Sequence, residues 1–345
     1  MEVSSLPGGR EQEILSGSVW RCPSCCSELR HVAPVLECLG CAREFPMVSG
    51  IPDFRLTIPS FLDGPADMAL ARELAESSLS LEELVRTVYS RRLDWDRARV
   101  ELRTRGVISA RERLHDELGG WLKQVTRGET FLDLGCGGGM LMAAAADLRP
   151  DLTVMGLDAS MTWLVVAQRY VRERGGDPIL AAGMGEALPF ADSSIPAVVS
   201  LDVIEHVDDP DMYLAEIDRV LQPGGRLALS TPNRFSLTAE PHVHVWGVGW
   251  LPQPLQAAWV RKRSGKSYDG TVLMSSFVLS RRLRRMTQLQ FRIEVPRISP
   301  AHIAQFARTK GRIAVLFNTI SQTSVFRPLF LLIAPFFQVV GWKRG

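Results

Sequence analysis

Short continuous apolar runs and longer helical patterns follow one another through most of this chain. Phe131, Leu132 and Leu134 suit a short buried strand with Asp133 near its end, and Met140 to Leu148 reads as a helix. Thr153 to Leu157 is a second buried strand that ends at Asp158, followed by a helical segment over Met161–Arg174. Ala197 to Val203 is a third apolar strand, and Arg226 to Ser230 a further one. Pro223, Gly224 and Gly225 are expected to end a helix and reverse the chain. Upstream, residues 60–107 are charged and helical in pattern, with Leu70, Leu74, Leu81, Leu84 and Val85 apolar. Residues 108–126 read as the helix that leads into the first strand.

The link between the first strand and its helix carries the strongest chemical signal. Gly135, Gly137, Gly138 and Gly139 form a tight turn that lets a ligand approach the backbone, and the helix start offers unpaired N–H groups. Spacing excludes two common ligand motifs. A dinucleotide fingerprint counted from Gly135 needs glycine at position 140, where Met140 stands, and the G-K-[ST] of a phosphate loop is absent. What remains is Asp133-Leu134-Gly135-Cys136-Gly137-Gly138-Gly139, or D-x-G-x-G-x-G. This resembles the first motif of class I S-adenosylmethionine (SAM) methyltransferases. The resemblance continues in order through Gly183-Met184-Gly185-Glu186-Ala187-Leu188-Pro189-Phe190, Ile204-Glu205-His206-Val207 and Arg219-Val220-Leu221-Gln222-Pro223-Gly224-Gly225.

That resemblance implies a doubly wound, mostly parallel α/β sheet over residues 108–345. It implies that Asp133, Gly135, Gly137 and Gly139 seat the methionine portion of SAM. Asp158 would hold the ribose, as strand-end acids do in related folds. Gly185 and Glu186 would meet the adenine through backbone groups, because Met184 replaces the Asp that usually accepts the adenine amino group. Asp202 and Glu205 fall near the cofactor end of the fourth family strand without an assigned role.

Five of the six cysteines lie between positions 22 and 41. Cys22-x-x-Cys25 and Cys38-x-x-Cys41 can present four thiolates to one structural Zn2+. Cys26 is left over, and Cys136 is expected to pack in the glycine turn. The C-P-x-C and C-x-x-C pairs, with Phe45-Pro46 and Gly50-Ile51-Pro52-Asp53-Phe54, are similar to the small zinc-ribbon proteins that partner methyltransferases. The expected organisation is a flexible lead over 1–17, a zinc ribbon over 18–54, and a helical connector or lid over 55–107. The methyltransferase domain follows over 108–345, with a substrate-side insertion at 232–290.

Charge then narrows the partners. Residues 1–233 hold 23 Lys and Arg against 35 Asp and Glu, whereas residues 234–345 hold 17 against 3. The basic C-terminal third suits an anionic partner or a membrane surface, or else a solvated face balanced by the acidic body. No signal peptide and no apolar run of spanning length is read, so the expectation is a cytoplasmic protein, peripheral to a membrane at most. Leu329 to Ala334 is apolar but short, and Phe336 to Trp342 resembles the last core strand of the family. Val325 to Leu332, beside so much Arg, could touch a membrane surface, and core packing is the preferred expectation.

Candidate bases are His206, and His242 or His244 in the aromatic-rich stretch after the fifth family strand; no third metal ligand accompanies them. Histidines packed beside Trp246 and Trp250 are the plain structural alternative. By resemblance to the quinone and natural-product branches, the expected activity is O-methylation of a small-molecule, sugar or lipid-linked acceptor. The rivals are base methylation of RNA, for which the ribbon and the basic third speak, and a SAM-binding or partner-binding protein without turnover.

Overall fold

The fold was analysed in a computed structural model that describes residues 19–345, apart from 93–94, 111–113, 115–120, 123–124, 126–128, 269 and 305. The expected flexible lead at 1–17 lies outside the described residues, as does most of the expected helix at 108–126.

The chain opens with a four-stranded antiparallel sheet. Its strands are β1 (Leu29–Val32), β2 (Val35–Cys38), β3 (Glu44–Val48) and β4 (Ile51–Pro52), in that order. The connector that follows is helical, as its pattern indicates: α1 (Gly64–Glu76), α2 (Leu81–Ser90) and α3 (Arg97–Ile108). Each starts on a side-chain cap, from Asp63, Ser80 and Asp96 respectively. Ser80 and Glu83 close a reciprocal capping box.

The larger unit alternates β5 (Thr130–Leu134), α4 (Met140–Leu148), β6 (Thr153–Asp158), α5 (Met161–Arg172), β7 (Ile179–Ala182), β8 (Ile195–Leu201), α6 (Pro210–Val220) and β9 (Leu221–Pro232). A short 3-10 turn at Val248–Trp250, α7 (Gln253–Ser264) and α8 (Ser276–Leu283) lead to β10 (Leu289–Glu294). The last elements are α9 (Pro300–Ala304), α10 (Arg308–Ser321), α11 (Arg327–Ile333) and β11 (Phe336–Lys343). The seven strands lie in the order β10-β11-β9-β8-β5-β6-β7. β7, β6, β5, β8 and β9 are parallel, and β11 enters antiparallel between β9 and β10. The sheet is therefore doubly wound and mostly parallel, as expected. Among the described residues no helix is long and apolar enough to cross a membrane.

Four expectations need correction. β7 escapes the apolar pattern because it holds only four residues after Pro178, two of them alanine. The Pro223-Gly224-Gly225 turn lies inside β9, which starts directly after α6. The expected insertion at 232–290 runs into the large sheet at its end, because β10 starts at Leu289, and α8 within it packs Leu279 and Leu283 into the shared core. The apolar segment before β11 is not core: α11 buries none of its residues.

The small sheet is not a free-standing module. Trp20 stacks on Phe54 at 5.4 Å and meets Phe190 of the large unit at 4.9 Å. Backbone bonds run from Phe54 N–H to Ala182 C=O at 2.8 Å and from Arg21 N–H to Pro189 C=O at 3.0 Å. Cys22, Leu36, Phe45 and Phe54 thus share one apolar core with Leu132, Leu157 and Phe190.

The connector is clamped by charge. Asp67 is buried in α1 and accepts from Ser160 Oγ and from the Met161 and Thr162 N–H groups at the start of α5. Arg55 bridges Asp67 at 3.0 Å and Asp53 at 2.7 Å. Satisfied on all sides, this buried cluster fixes the connector over α5, the helix that follows Asp158.

Candidate cofactor crevice and histidine pair

The parallel strands β5, β6 and β8 bring their C-terminal ends together, and most of the expected residues lie there. Gly135 and Gly139 have φ near +83° and +76°, and each is closely packed. A Cβ on Gly135 would meet Val203 at 2.3 Å, and one on Gly139 would meet the Ala167 backbone at 2.9 Å. Gly137, also at positive φ, faces open space. Its N–H donates to Asp158 Oδ2 at 2.8 Å, and Ser160 N–H donates to Asp158 Oδ1 at 2.8 Å. The turn and the strand-end acid therefore form one rim.

Asp133 is buried, and its Oδ2 has no hydrogen-bond partner among the described residues. Burial, reinforced by the nearby Asp158 charge, pushes its carboxyl well above the usual carboxylate range. A buried carboxylate without a partner is costly unless a ligand cation or donor meets it.

Along the same edge, Gly185 packs on the Tyr213 ring, where a Cβ would clash at 2.3 Å. Glu186 turns its Oε1 to the Asp208 N–H at 3.0 Å, so its side chain holds the loop before α6. Asp202 sits just beyond β8 with φ near +57° and accepts from Ser230 Oγ at 2.7 Å. A non-glycine residue held in that left-handed region is strained, and such strain gathers at functional sites.

The loop after β8 also carries Glu205 and His206. Glu205 is fully buried; its Oε2 accepts from Thr231 Oγ1 at 3.0 Å, while its Oε1 has no partner among the described residues. Burial and the Asp202 charge push it up to about 8.

His206 Nε2 stands 3.0 Å from His242 Nε2. His242 arrives from the segment after β9, in a turn built on Glu240. The Glu240 carboxylate accepts from the His242 and Val243 backbone N–H groups at 2.9 and 2.8 Å, and from His242 Nδ1–H at 2.5 Å. Its side chain is only 2% exposed. His206 Nδ1 lies 3.4 Å from the Gly270 carbonyl oxygen. If both Nδ1 atoms carry the protons, the two Nε2 lone pairs face each other. That arrangement is stable only with a proton or a cation between them.

His244, the third histidine candidate, does not join this pair. It is exposed, at φ near +58°, and its ring makes no hydrogen bond among the described residues. Two partners of the pair were not legible as such. Glu240 gave no signal beyond a Glu-Pro-His sequence, and Glu205 is a third potential ligand that the sequence did not reveal. Ligand atoms of Glu205, His206 and His242 lie within 4.8 Å of one another.

At the small sheet, the sulfurs of Cys22, Cys25, Cys38 and Cys41 also lie within 4.8 Å of one another. Cys22 and Cys41 are 3.7 Å apart, and Cys25 and Cys38 are 3.4 Å apart. A ZnS4 tetrahedron with Zn–S near ~2.3 Å has sulfurs about 3.8 Å apart, so the donors fit zinc. The thiols are uneven. The Ser27 hydroxyl and backbone N–H hold Cys25 down to about 6, while burial pushes Cys22 up to about 12. Cys26 is exposed and outside the cluster, and Cys136 is buried in the turn, as expected.

Fold and crevice define a doubly wound α/β protein with its ligand edge at the carboxyl ends of the parallel strands. Residues 132–229 match a family model described as a methyltransferase domain. The matched stretch contains the glycine turn and the strand-end acid. The chain is 37% identical over 107 residues to a ubiquinone biosynthesis O-methyltransferase of Brucella ovis. That match spans 31% of this chain and 42% of the relative, so less than half of the relative's length is covered. Among solved structures, a SAM-dependent methyltransferase from Mesorhizobium loti aligns at 18% identity and TM-score 0.47, over 69% of this chain and 100% of that one. A Haloferax volcanii complex of the Trm112 methyltransferase activator and a putative methyltransferase aligns at 20% identity and TM-score 0.46, over 69% of this chain and 94% of that one.

Proposed function

We propose that this chain is a SAM-dependent methyltransferase that O-methylates a small-molecule, sugar or lipid-linked acceptor. The observation that carries the reading is the buried Asp133 carboxyl, whose Oδ2 has no hydrogen-bond partner among the described residues, at the end of the strand that leads into the open Gly137 turn. Asp133 would accept from the ammonium group of the methionine portion, Gly135 and Gly137 would let it approach the backbone, and Asp158 would hold the ribose. Bound SAM would supply a methyl group already activated on a sulfonium, so no nucleophilic cysteine is needed. The acceptor chemistry follows the O-methyltransferase relative, whose similarity covers 107 residues of this chain.

The histidine pair is the proposed proton acceptor. An acceptor hydroxyl loses its proton as its oxygen attacks the methyl carbon. A proton lodged between the facing Nε2 atoms is shared by both rings, and the Glu240 carboxylate compensates the charge at His242 Nδ1. His206→Ala and His242→Ala should each retain SAM affinity and lose roughly 10²–10⁴ in turnover. Normal turnover in both would remove the base from the mechanism.

A second reading has its own observation, the convergence of a Glu205 carboxylate oxygen with a ring nitrogen of each of His206 and His242. A divalent cation held there would orient the acceptor oxygen, and each histidine already donates its other N–H to a carboxylate or carbonyl. Turnover that survives exhaustive chelation would exclude it. The four cysteines are proposed to hold one structural Zn2+, which would tie the small sheet together where it joins the shared core. RNA methylation is the less favoured reading: the basic third supports it, whereas the acidic body speaks against it.

A further inference from the structure

The least covered part of the molecule is the helical hairpin before the last strand. α10 buries only Ala314 and Ser321 over its 14 residues, and α11 buries nothing. Ile313, Leu316, Val325, Phe326, Leu329 and Leu332 are all exposed, Val325 at 79%. Phe317 and Phe330 meet edge-on at 5.3 Å and hold the two helices together. Exposed apolar side chains gathered on one hairpin mark an interaction surface rather than ordinary solvated surface.

This hairpin is bonded to the stretch that carries the site. The Asn233 side-chain amide donates to the Leu332 and Ala334 carbonyls at 2.8 Å each, and Leu237 N–H donates to the Ile333 carbonyl at 3.2 Å. Trp246 donates its indole N–H to the Leu237 carbonyl, and Trp250 donates to the Ser236 carbonyl, both at 3.1 Å. Both rings remain exposed, with the polar edge satisfied inside and the apolar face outside. Leu237 is exposed beside them in sequence, and Glu240 and His242 belong to the same stretch.

Charge selects the occupant. From Val295 to Gly345 the chain has no Asp or Glu, while Arg308, Lys310 and Arg312 occupy the first turns of α10. A second copy docked through the same face in a two-fold contact would set basic residues against basic residues. Anionic headgroups above acyl chains match both the basic and the apolar side chains.

We propose that the α10–α11 hairpin, with Leu237, Trp246 and Trp250, docks this protein on an anionic lipid bilayer surface. Docked there, the stretch bearing Glu240 and His242 lies beside the membrane, which rests on the methyltransferase reading only in making the acceptor lipid-linked.

The test is flotation of the purified full chain with vesicles of equal parts phosphatidylglycerol and phosphatidylcholine, compared with phosphatidylcholine alone. The wild type should float with the mixed vesicles, bind phosphatidylcholine far less, and be released by salt. Arg308→Glu, Lys310→Glu and Arg312→Glu combined should weaken binding on the order of a hundredfold. Phe326→Asp with Leu329→Asp should weaken it at least about tenfold. Both sets lie at the surface, and unchanged thermal unfolding would verify their folding. If either set fails to fold, quenching of wild-type indole fluorescence by brominated phosphatidylglycerol, reduced in Trp246→Phe with Trp250→Phe, reads the same contact. A wild type that does not float overturns the proposal. So do variants that float equally well, and self-association in solution that the Phe326 and Leu329 changes abolish. None of these readouts passes through methyl transfer, so failure here is separable from failure of the proposed activity.

Discussion

Asp133→Asn separates stability from binding, because the structure leaves that carboxylate buried with no partner for Oδ2. Without ligand, the wild type carries the cost of an unsatisfied buried group, about 1–3 kcal/mol, and more when it is charged. The amide is neutral, so it should recover about 1–2 kcal/mol of that cost. For a protein of this size the melting temperature of the ligand-free variant should rise by roughly 1–3 °C at neutral pH. The sign of its pH dependence follows from the raised folded-state pKa. A carboxyl raised above its unfolded value contributes stability that is present below the unfolded pKa, near ~4, and is lost as pH rises through the folded one. The advantage of the variant should therefore vanish in acid and grow toward neutral pH. Affinity for SAM should move the other way. Loss of a charge-assisted bond of about 1.5–3 kcal/mol weakens binding roughly 10–150-fold. Scanning calorimetry and titration calorimetry on the same samples read both quantities. A variant that is less stable than the wild type at neutral pH, or one that binds SAM normally, would refute the assignment of Asp133 to the ligand.

Gly137→Ala should fold with a loss of only about 1 kcal/mol, since its Cβ meets nothing, yet it should lose SAM binding because the added methyl enters the open face. Gly139→Ala strikes the Ala167 backbone and should lose stability and binding together, as calorimetry would show. Glu240→Gln removes the carboxylate hydrogen-bonded to His242, so turnover should fall by at least about tenfold with SAM affinity intact, and a rate that is unchanged, or that falls only with the folded fraction, would count against the pair. Burial and the His242 neighbour hold His206 below the ordinary histidine value, so turnover should stay level through neutral pH and decline only in acid, where the pair arrives already protonated. Purified protein should contain one zinc per chain by elemental analysis, and Cys38→Ser should lower both the metal content and the melting temperature.

The sequence displays the glycine turn, the strand-end Asp158 and the cysteine pairs openly, because each is a local pattern whose spacing is its chemistry. Strands β5, β6 and β8 were legible for a related reason, since buried strands read as apolar runs, whereas β11 was expected from the family resemblance. β7 was not legible, since four residues with two alanines carry little signal. The pairing of His206 with His242 depends on how the chain returns after β9, and 36 residues separate the two. Glu205 and Glu240 are buried carboxylates whose partners lie in or across that return, so neither could be assigned a role. The hairpin was open to two fates, core or membrane surface, and core was preferred. Its apolar residues look like core by composition, and only the fold shows that most of them stay exposed while Leu331 packs on the shared core.

The most direct test is incubation of the purified chain with methyl-labelled SAM and a lysate of its own organism, followed by separation of lipid, small-molecule, RNA and protein fractions. Label should enter the lipid or small-molecule fraction, vanish in Asp158→Ala, and fall sharply in His242→Ala. Label in RNA would contradict the assigned acceptor. SAM binding with no label in any fraction would contradict the claim that the chain transfers a methyl group.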